Sequence, residues 1–399
     1  MSTQRTPPNI ITLILLTALA VLSLNMFLPS LPQMAASFGT DYETISLAVG
    51  GYLAVTTVMQ LFAGPLSDRY GRRPVILGAL LIYLIASIGC VLAYQLGWFL
   101  LFRTFQGVII SGWVVSLAVV RDTRPEKEAA SLIGYIVMAM AIAPMIGPLV
   151  GGMLDEAFGW RSNFVLMALF GALLLVLCFV NFGETNQEPS STFGAQFRAY
   201  PELFRSKRFW GYAICMASSN AMFYAFLAGS PLVAATVLGL GTAELGFYMG
   251  TISAGFIAGS YCAGRYSSTF ELTTMIITGR IIACLGLGSG LAFVLAGEIN
   301  VWTIFGAAVF AGFGNGLTIP GSGAGAMSVR PKLAGSAAGL AGALAIGSGA
   351  ITTAVTAALI SPDNGAIVLL AIMFLLAVIG LVTALLLRLL EQRADQVTA

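Results

Sequence analysis

Three groups of polar residues stand out in a chain that is otherwise apolar. The first is Arg103, with Gln106 one helical turn further on. A guanidinium flanked by an amide can hold an anionic or polar group through charge-assisted hydrogen bonds. The second is Asn25, in the run Leu24-Asn25-Met26-Phe27-Leu28-Pro29-Ser30-Leu31-Pro32. Its amide can orient a ligand as donor and acceptor but cannot titrate. The third is the stretch Gly64-Pro65-Leu66-Ser67-Asp68-Arg69-Tyr70-Gly71-Arg72-Arg73, one acid among three arginines. Gly71 permits a tight turn there, Pro74 suits the first turn of the next helix, and Asp68 can face a helix N-terminus. None of these is a hydrolytic or metal constellation. The chain has no histidine, which removes the commonest metal ligand and most catalytic triads. Its five cysteines (Cys90, Cys178, Cys215, Cys262 and Cys284) stand singly in apolar runs, without metal-ligand or redox spacing. They read as small buried apolar residues. No metal, no cofactor and no nucleic-acid partner is expected.

The elements that must position these groups are membrane helices. Of 399 residues 58% are hydrophobic and 9% charged, against roughly 25% charged in a soluble domain. A span needs about 20 mostly apolar residues. Twelve stretches fit, at 9–35, 43–66, 74–94, 97–120, 129–153, 162–183, 209–236, 244–264, 273–296, 301–328, 333–360 and 365–389. The expected fold is therefore an all-α membrane protein of 12 transmembrane helices. The longest polar stretch divides it into a six-helix bundle at 1–183, a cytoplasmic linker at 184–208 and a second bundle at 209–399. A short surface helix is expected in the linker around Phe197–Phe204.

Charge sets the orientation. With the N-terminus inside, every lysine and arginine except Arg103 and Arg161 falls on the cytoplasmic side, Arg280 among them. The first apolar run lacks a clear cleavage site and reads as a retained span. No acid falls at mid-span: Asp155 and Glu156 sit at an outer end, Asp68 and Asp122 at inner ends.

The halves echo one another. Ala63-Gly64 and Arg69-Tyr70 correspond to Ala258-Gly259 and Arg265-Tyr266, about 200 residues on. Arg124-Pro125 corresponds to Arg330-Pro331, and Ala130-Ser131 with Gly134 to Gly335-Ser336 with Gly339. Such a repeat predicts two pseudo-symmetric bundles facing a central cavity, worked by rocking.

The decapeptide at 64–73 resembles the signature loop between spans two and three of the major facilitator superfamily, G-x-L-x-D-R-x-G-R-R, at every defined position. Phe102-Arg103-Thr104-Phe105-Gln106-Gly107 resembles the fourth-span R-x-x-Q-G signature, whose arginine the family ties to substrate binding or proton coupling. Gly134, Ala143-Pro144, Gly147-Pro148 and Gly151-Gly152, followed by Trp160-Arg161, resemble the fifth-span signature of proton-driven exporters, with Ala143 replacing a glycine. The run at 25–32 is similar to the first span of the Bcr/CflA-type branch, the bicyclomycin and chloramphenicol exporters, with Asn25 in place of its acid and Phe27 in place of its tyrosine.

The resemblance implies a secondary transporter with the major facilitator fold. It is expected to export small amphipathic compounds by proton antiport with alternating access. The predicted place is the bacterial inner membrane, in contact with lipid, as a monomer with both termini cytoplasmic. Substrate contacts are expected from Asn25, Tyr52, Arg103, Gln106, Asn220 and Tyr224. Met59, Phe223, Tyr248 and Asn315 are further cavity candidates. Gating is expected from Gly64, Asp68, Arg69, Gly71, Arg72 and Arg73, and from the kink residues Pro144, Gly147, Pro148 and Gly151. With no mid-span acid, Asp122 is the expected proton-coupling carboxylate. Two alternatives stay open. Asn25 can be helix–helix glue and Arg103 a snorkelling or structurally paired cation. The whole can be a carrier or facilitator for one anionic metabolite or siderophore-like product, because Arg103 lacks a balancing acid.

Overall fold

The computed structural model describes residues 8–124, 126–186, 200–266, 269–330 and 333–398. Pro125, Pro331 and the linker residues 187–199 lie outside these. The chain forms two compact units, Met1–Ala195 and Gln196–Ala399. Among the described residues both are wholly helical, without strands.

In the first unit α1 (Ile10–Asn25) breaks at Met26 and Phe27, passes through a 3-10 turn (Leu28–Ser30) and resumes as α2 (Leu31–Phe38). Pro29 and Pro32 account for the break, since each removes a backbone donor. Then follow α3 (Tyr42–Tyr70), α4 (Arg72–Leu92) and α5 (Leu96–Phe105). A second 3-10 turn (Gln106–Ile110) joins α5 to α6 (Ser111–Thr123), and α7 (Glu126–Phe158) and α8 (Arg161–Asn181) complete the unit. Local chemistry fixes several ends. The Asp41 carboxylate accepts the Thr44 amide at 2.6 Å and caps α3. Gly71, at φ 98°, ends α3 and starts α4, a conformation that disfavours any side chain.

The second unit has a short α9 (Tyr200–Phe204), within the surface helix expected there, then α10 (Lys207–Thr236), α11 (Thr242–Tyr266) and α12 (Leu272–Leu295). A π-turn (Trp302–Gly306) leads into α13 (Ala307–Ser328), followed by α14 (Ala334–Leu359) and α15 (Gly365–Thr398). Among the described residues ten segments are long and apolar enough to cross a membrane. The remaining two of the twelve expected spans fall on α7, 33 residues long, and α11, 25 residues long.

The two units pack alike. In the first, the first span pairs with the fifth (α1 with α7), the second with the fourth (α3 with α5) and the third with the sixth (α4 with α8). In the second, α10 pairs with α14, α11 with α13 and α12 with α15, the same order. Glycines allow the closest of these approaches. Gly255 and Gly259 of α11 meet the backbone at Val309 and Phe313, and Gly312 and Gly316 of α13 meet the backbone at Ile252 and Phe256. A Cβ at any of the four would overlap a carbonyl across the interface.

One residue departs from the sequence expectation. Arg280, expected on the cytoplasmic side, is fully buried within α12. Positive-inside counting treats a cation near a span end as a loop residue. The amide and hydroxyl partners that let it stay inside the bundle come from the neighbouring helix.

Candidate functional site

Arg103 sits at the end of α5, where the helix tightens into the 3-10 turn and brings Gln106 alongside. Both are fully buried. The guanidinium donates from Nη1 to Gln106 Oε1 at 2.6 Å and to Ser23 Oγ at 3.2 Å, and from Nη2 to the Ser23 carbonyl at 2.8 Å. Gln106 Nε2 in turn donates to Ser87 Oγ at 2.7 Å. Two rings lie against the cation: its Cζ is 4.3 Å from the Phe27 centroid and 4.4 Å from that of Tyr52. Face-on rings replace part of the hydration lost on burial. Tyr52 is fixed by donating its hydroxyl to the Ala20 carbonyl at 2.8 Å. The first, second, third and fourth spans thus meet at one arginine that has no carboxylate partner among the described residues. Its Nε remains buried without a partner.

Asn25 lies at the end of α1, 1% exposed. Its Nδ2 donates to the Val21 carbonyl at 2.8 Å, while Oδ1 is buried without a partner. Orphaned polar atoms of this kind are uncommon and call for a reason. Across from it runs α7, with Pro144 and Pro148 inside the helix. A Cβ at Gly147 would stand 3.4 Å from Asn25 Cβ, and one at Gly151 would overlap the Met26 carbonyl. The doubly proline-bearing helix is therefore locked against the break in the first span, with only glycine fitting at 151.

The 64–73 stretch is also tied within its own unit. Arg72, 8% exposed, bonds through Nη1 to Asp68 and, at 2.6 Å, to Ser67 Oγ, and through Nε to Asp122 Oδ2 at 3.0 Å. Arg73 donates to the Phe179 carbonyl at 2.8 Å. Arg69 stacks on its neighbour Tyr70, and Gly64 lies in loose contact with Val114. One member of this cluster was hidden from sequence reading. Glu184 accepts the backbone N–H of Arg72 at 2.9 Å and of Arg73 at 3.1 Å, capping α4. A side chain on Gly71 would collide with that carboxylate. Asn186 reaches back to the Asp68 carbonyl at 2.7 Å. Glu184 stands 112 positions from Arg72, so no local pattern could pair them.

The second unit carries a comparable buried cation. Arg280 Nη2 donates to Asn315 Oδ1 at 2.7 Å and Nε to Thr318 Oγ1 at 2.9 Å. Asn315 Nδ2 continues to the Ser219 carbonyl at 3.0 Å. Asn315, a cavity candidate by sequence, is 2% exposed and serves this arginine. Asn220 is half-buried and donates to the Met216 carbonyl at 3.0 Å, and Tyr224 packs edge-on to Phe223 and against Gly349. The structure therefore brings Tyr52, Arg103 and Gln106 together, sets Asn25 apart against α7, and leaves Asn220 and Tyr224 with separate partners in the second unit. Among the described residues no group of acids and cysteines could hold a metal ion.

Residues 13–354 match the family model of the Major Facilitator Superfamily. The chain belongs to that superfamily. It is a multi-span membrane transporter of small molecules, not an enzyme. The multidrug resistance protein D of Escherichia coli K12 is 30% identical over 364 residues, covering 88% of this chain and 89% of that protein. A chloramphenicol resistance protein of Pseudomonas aeruginosa is 31% identical over 291 residues, 72% of this chain and 67% of that protein. Two solved structures share the fold. One is a bacterial homologue of the human lysosomal transporter Spinster, inward-facing and occupied, with a TM-score of 0.74 at 18% identity over 96% of both chains. The other is a D-xylose–proton symporter, with a TM-score of 0.72 at 14% identity over 95% of this chain and 96% of that one.

Proposed function

We propose that this superfamily member exports small amphipathic compounds of the phenicol or bicyclomycin type by proton antiport with alternating access. The observation that carries the reading is the interlock of the exporter-like helix α7 with the broken first span, Gly147 against Asn25 and Gly151 against the Met26 carbonyl. The resistance proteins of similar sequence point to the same substrate class. The protein works as a monomer in the bacterial inner membrane, with both termini cytoplasmic. Asn25, Tyr52, Arg103, Gln106, Asn220 and Tyr224 contact substrate or hold the groups that do. Arg103 is fully enclosed here, so its contact with substrate requires the surrounding helices to move. Asp68, Arg69, Arg72, Arg73, Asp122 and Glu184 form the latch, hinged at Gly71, and Pro144 and Pro148 let α7 bend.

Everted vesicles with an acid interior test this. Chloramphenicol is expected to raise the interior pH when the protein is present, and cells expressing it should accumulate less of the drug. If neither occurs while a known antiporter responds in the same vesicles, drug–proton exchange is not its activity. A second reading, a carrier for one anionic metabolite, draws on the two buried arginines without carboxylates, Arg103 and Arg280. It predicts a response to carboxylates and none to neutral drugs.

A further inference from the structure

Asp155, near the end of α7, is the only buried carboxylate among the described residues, 4% exposed. Its hydrogen-bonding neighbours are neutral. With the Gln33 amide turned so that its nitrogen faces the acid, that nitrogen lies 2.9 Å from both carboxylate oxygens. The Ser30 hydroxyl, fully buried, is its other polar neighbour. Ser30 Oγ also accepts from Asn163 Nδ2 at 3.4 Å, which links the site to α8. No arginine or lysine nitrogen of the described residues lies within ion-pair distance of it.

The charged groups on the elements packed around it are few. Its own helix supplies Glu156, a like charge. From α8 comes Arg161, which donates to the Ala93 carbonyl at 3.1 Å and lies over the Trp160 ring at 4.1 Å. The stretch from α1 through the 3-10 turn to α2 carries no charged residue, and Arg121 and Asp122 of α6 sit at that helix's other end. A carboxylate removed from water without a cation favours its protonated form. Asp122, by contrast, is ion-paired with Arg72 at 3.0 Å. An acid that must both load and release a proton fits the environment of Asp155 better.

Position ties this acid to the moving parts. Asp155 lies one helical turn beyond Gly151, whose α-carbon abuts the Met26 carbonyl at the break in the first span. The Gln33 amide that holds the carboxylate belongs to α2, on the far side of the same break.

We propose that Asp155 is the carboxylate that carries the exchanged proton, and that its protonation loosens the tie between α7 and α2. This rests on the antiport reading above. From the outer end of its span the carboxylate takes one proton from water on the outer side, becomes a neutral acid, and passes the proton inward when the helices around it move in the export step. Nothing else is consumed. Loss of the charge weakens the Gln33 hydrogen bonds, because those to an ionised acceptor are the stronger ones.

Infrared difference spectroscopy of the purified protein in lipid, titrated from acidic to alkaline pH, tests the assignment without any substrate. The wild-type protein should show a protonated-carboxyl band that titrates at higher pH than the sixteen other acids and is missing from Asp155→Asn. A wild-type protein without that band, or Asp155→Asn with it, overturns the proposal. Gln33→Leu removes the donor that favours the anion, so the midpoint must move to higher pH. An unchanged midpoint overturns the proposal even if Asp155→Asn fails to fold. In proteoliposomes with chloramphenicol as probe, Asp155→Asn should retain drug–drug exchange but lose accumulation driven by a pH gradient, and Asp155→Glu should keep both. Gradient-driven accumulation by Asp155→Asn equal to wild type overturns the role of Asp155 alone. Wild-type transport that ignores the gradient overturns the antiport reading, and the exchanged proton with it.

Discussion

Each unit of this transporter buries one arginine completely, and the two do so by different means. In the first unit Arg103 comes from the fourth span, and Gln106 on the same helix carries the hydrogen bonding on to Ser87 of the third. In the second unit Arg280 comes from the third span of its bundle, and Asn315 on the fourth carries the bonding on to Ser219 of the first. Both networks join the first, third and fourth spans of their bundle with the amide on the fourth, but the cation comes from the fourth span in one and from the third in the other. Of the two, Arg103 alone has aromatic rings over it among the described residues. The difference teaches that the repeat is kept in the packing order of the helices and not in the residue that supplies the charge. It also separates two roles. Arg103 shares its unit with the motif-bearing helix α7 and with the orphaned Asn25 Oδ1. Arg280 is bonded to groups of its own bundle in a region with no exporter signature.

Removing either cation is the severest way to break this comparison. Arg103→Leu and Arg280→Leu each leave several buried partners unsatisfied, with an expected loss of about 3 kcal/mol or more, since bonds to charged groups contribute about 1.5–3 kcal/mol each. Thermal unfolding in detergent should show both variants strongly destabilised. If only one of them is, the two arginines are not structural counterparts. The lysine variants sharpen the point. Lysine keeps the charge but not the fork of donors. Arg103→Lys should lose chloramphenicol transport beyond its loss of stability, whereas transport by Arg280→Lys should fall only with the folded fraction. Equal losses in the two would assign Arg103 to structure.

The relay amides come next. Gln106→Ala and Asn315→Ala each leave a guanidinium nitrogen short of an acceptor, at about 1–3 kcal/mol by the same measurement. A neutral result for Asn315→Ala alone would mean that Arg280 relies on Thr318. The smallest expected effect is Phe27→Leu, which removes one ring from the face of Arg103 and should destabilise by about 0.5–2 kcal/mol. The second unit offers no matching variant among its described residues, so this one measures what the rings add to the first.

Much of the fold was legible because lipid leaves a chain few options. Long apolar runs must be helices, since backbone groups find partners there within their own segment. The motif-bearing residues Asp68, Arg72, Arg103, Gln106, Gly147 and Gly151 carried enough spacing information to be chosen. Arg280 was misplaced and Glu184 missed for a shared reason. Arg280 looks like a loop charge until Asn315 and Thr318 are seen beside it, and Glu184 looks like linker until it is found on the backbone of Arg72 and Arg73.

The sequence by itself determined the membrane-helical fold class, the turn at Gly71 and the family. Each follows from hydropathy, glycine geometry, or unbroken local motifs, which act over a few residues. Only the tertiary structure decided which charges are buried, which acid lacks a cation, and that Gly151 fits beneath the Met26 carbonyl. These depend on atoms brought together from segments far apart in the chain. Burial and pairing, which set the cost of a charge inside a membrane protein, are properties of such meetings.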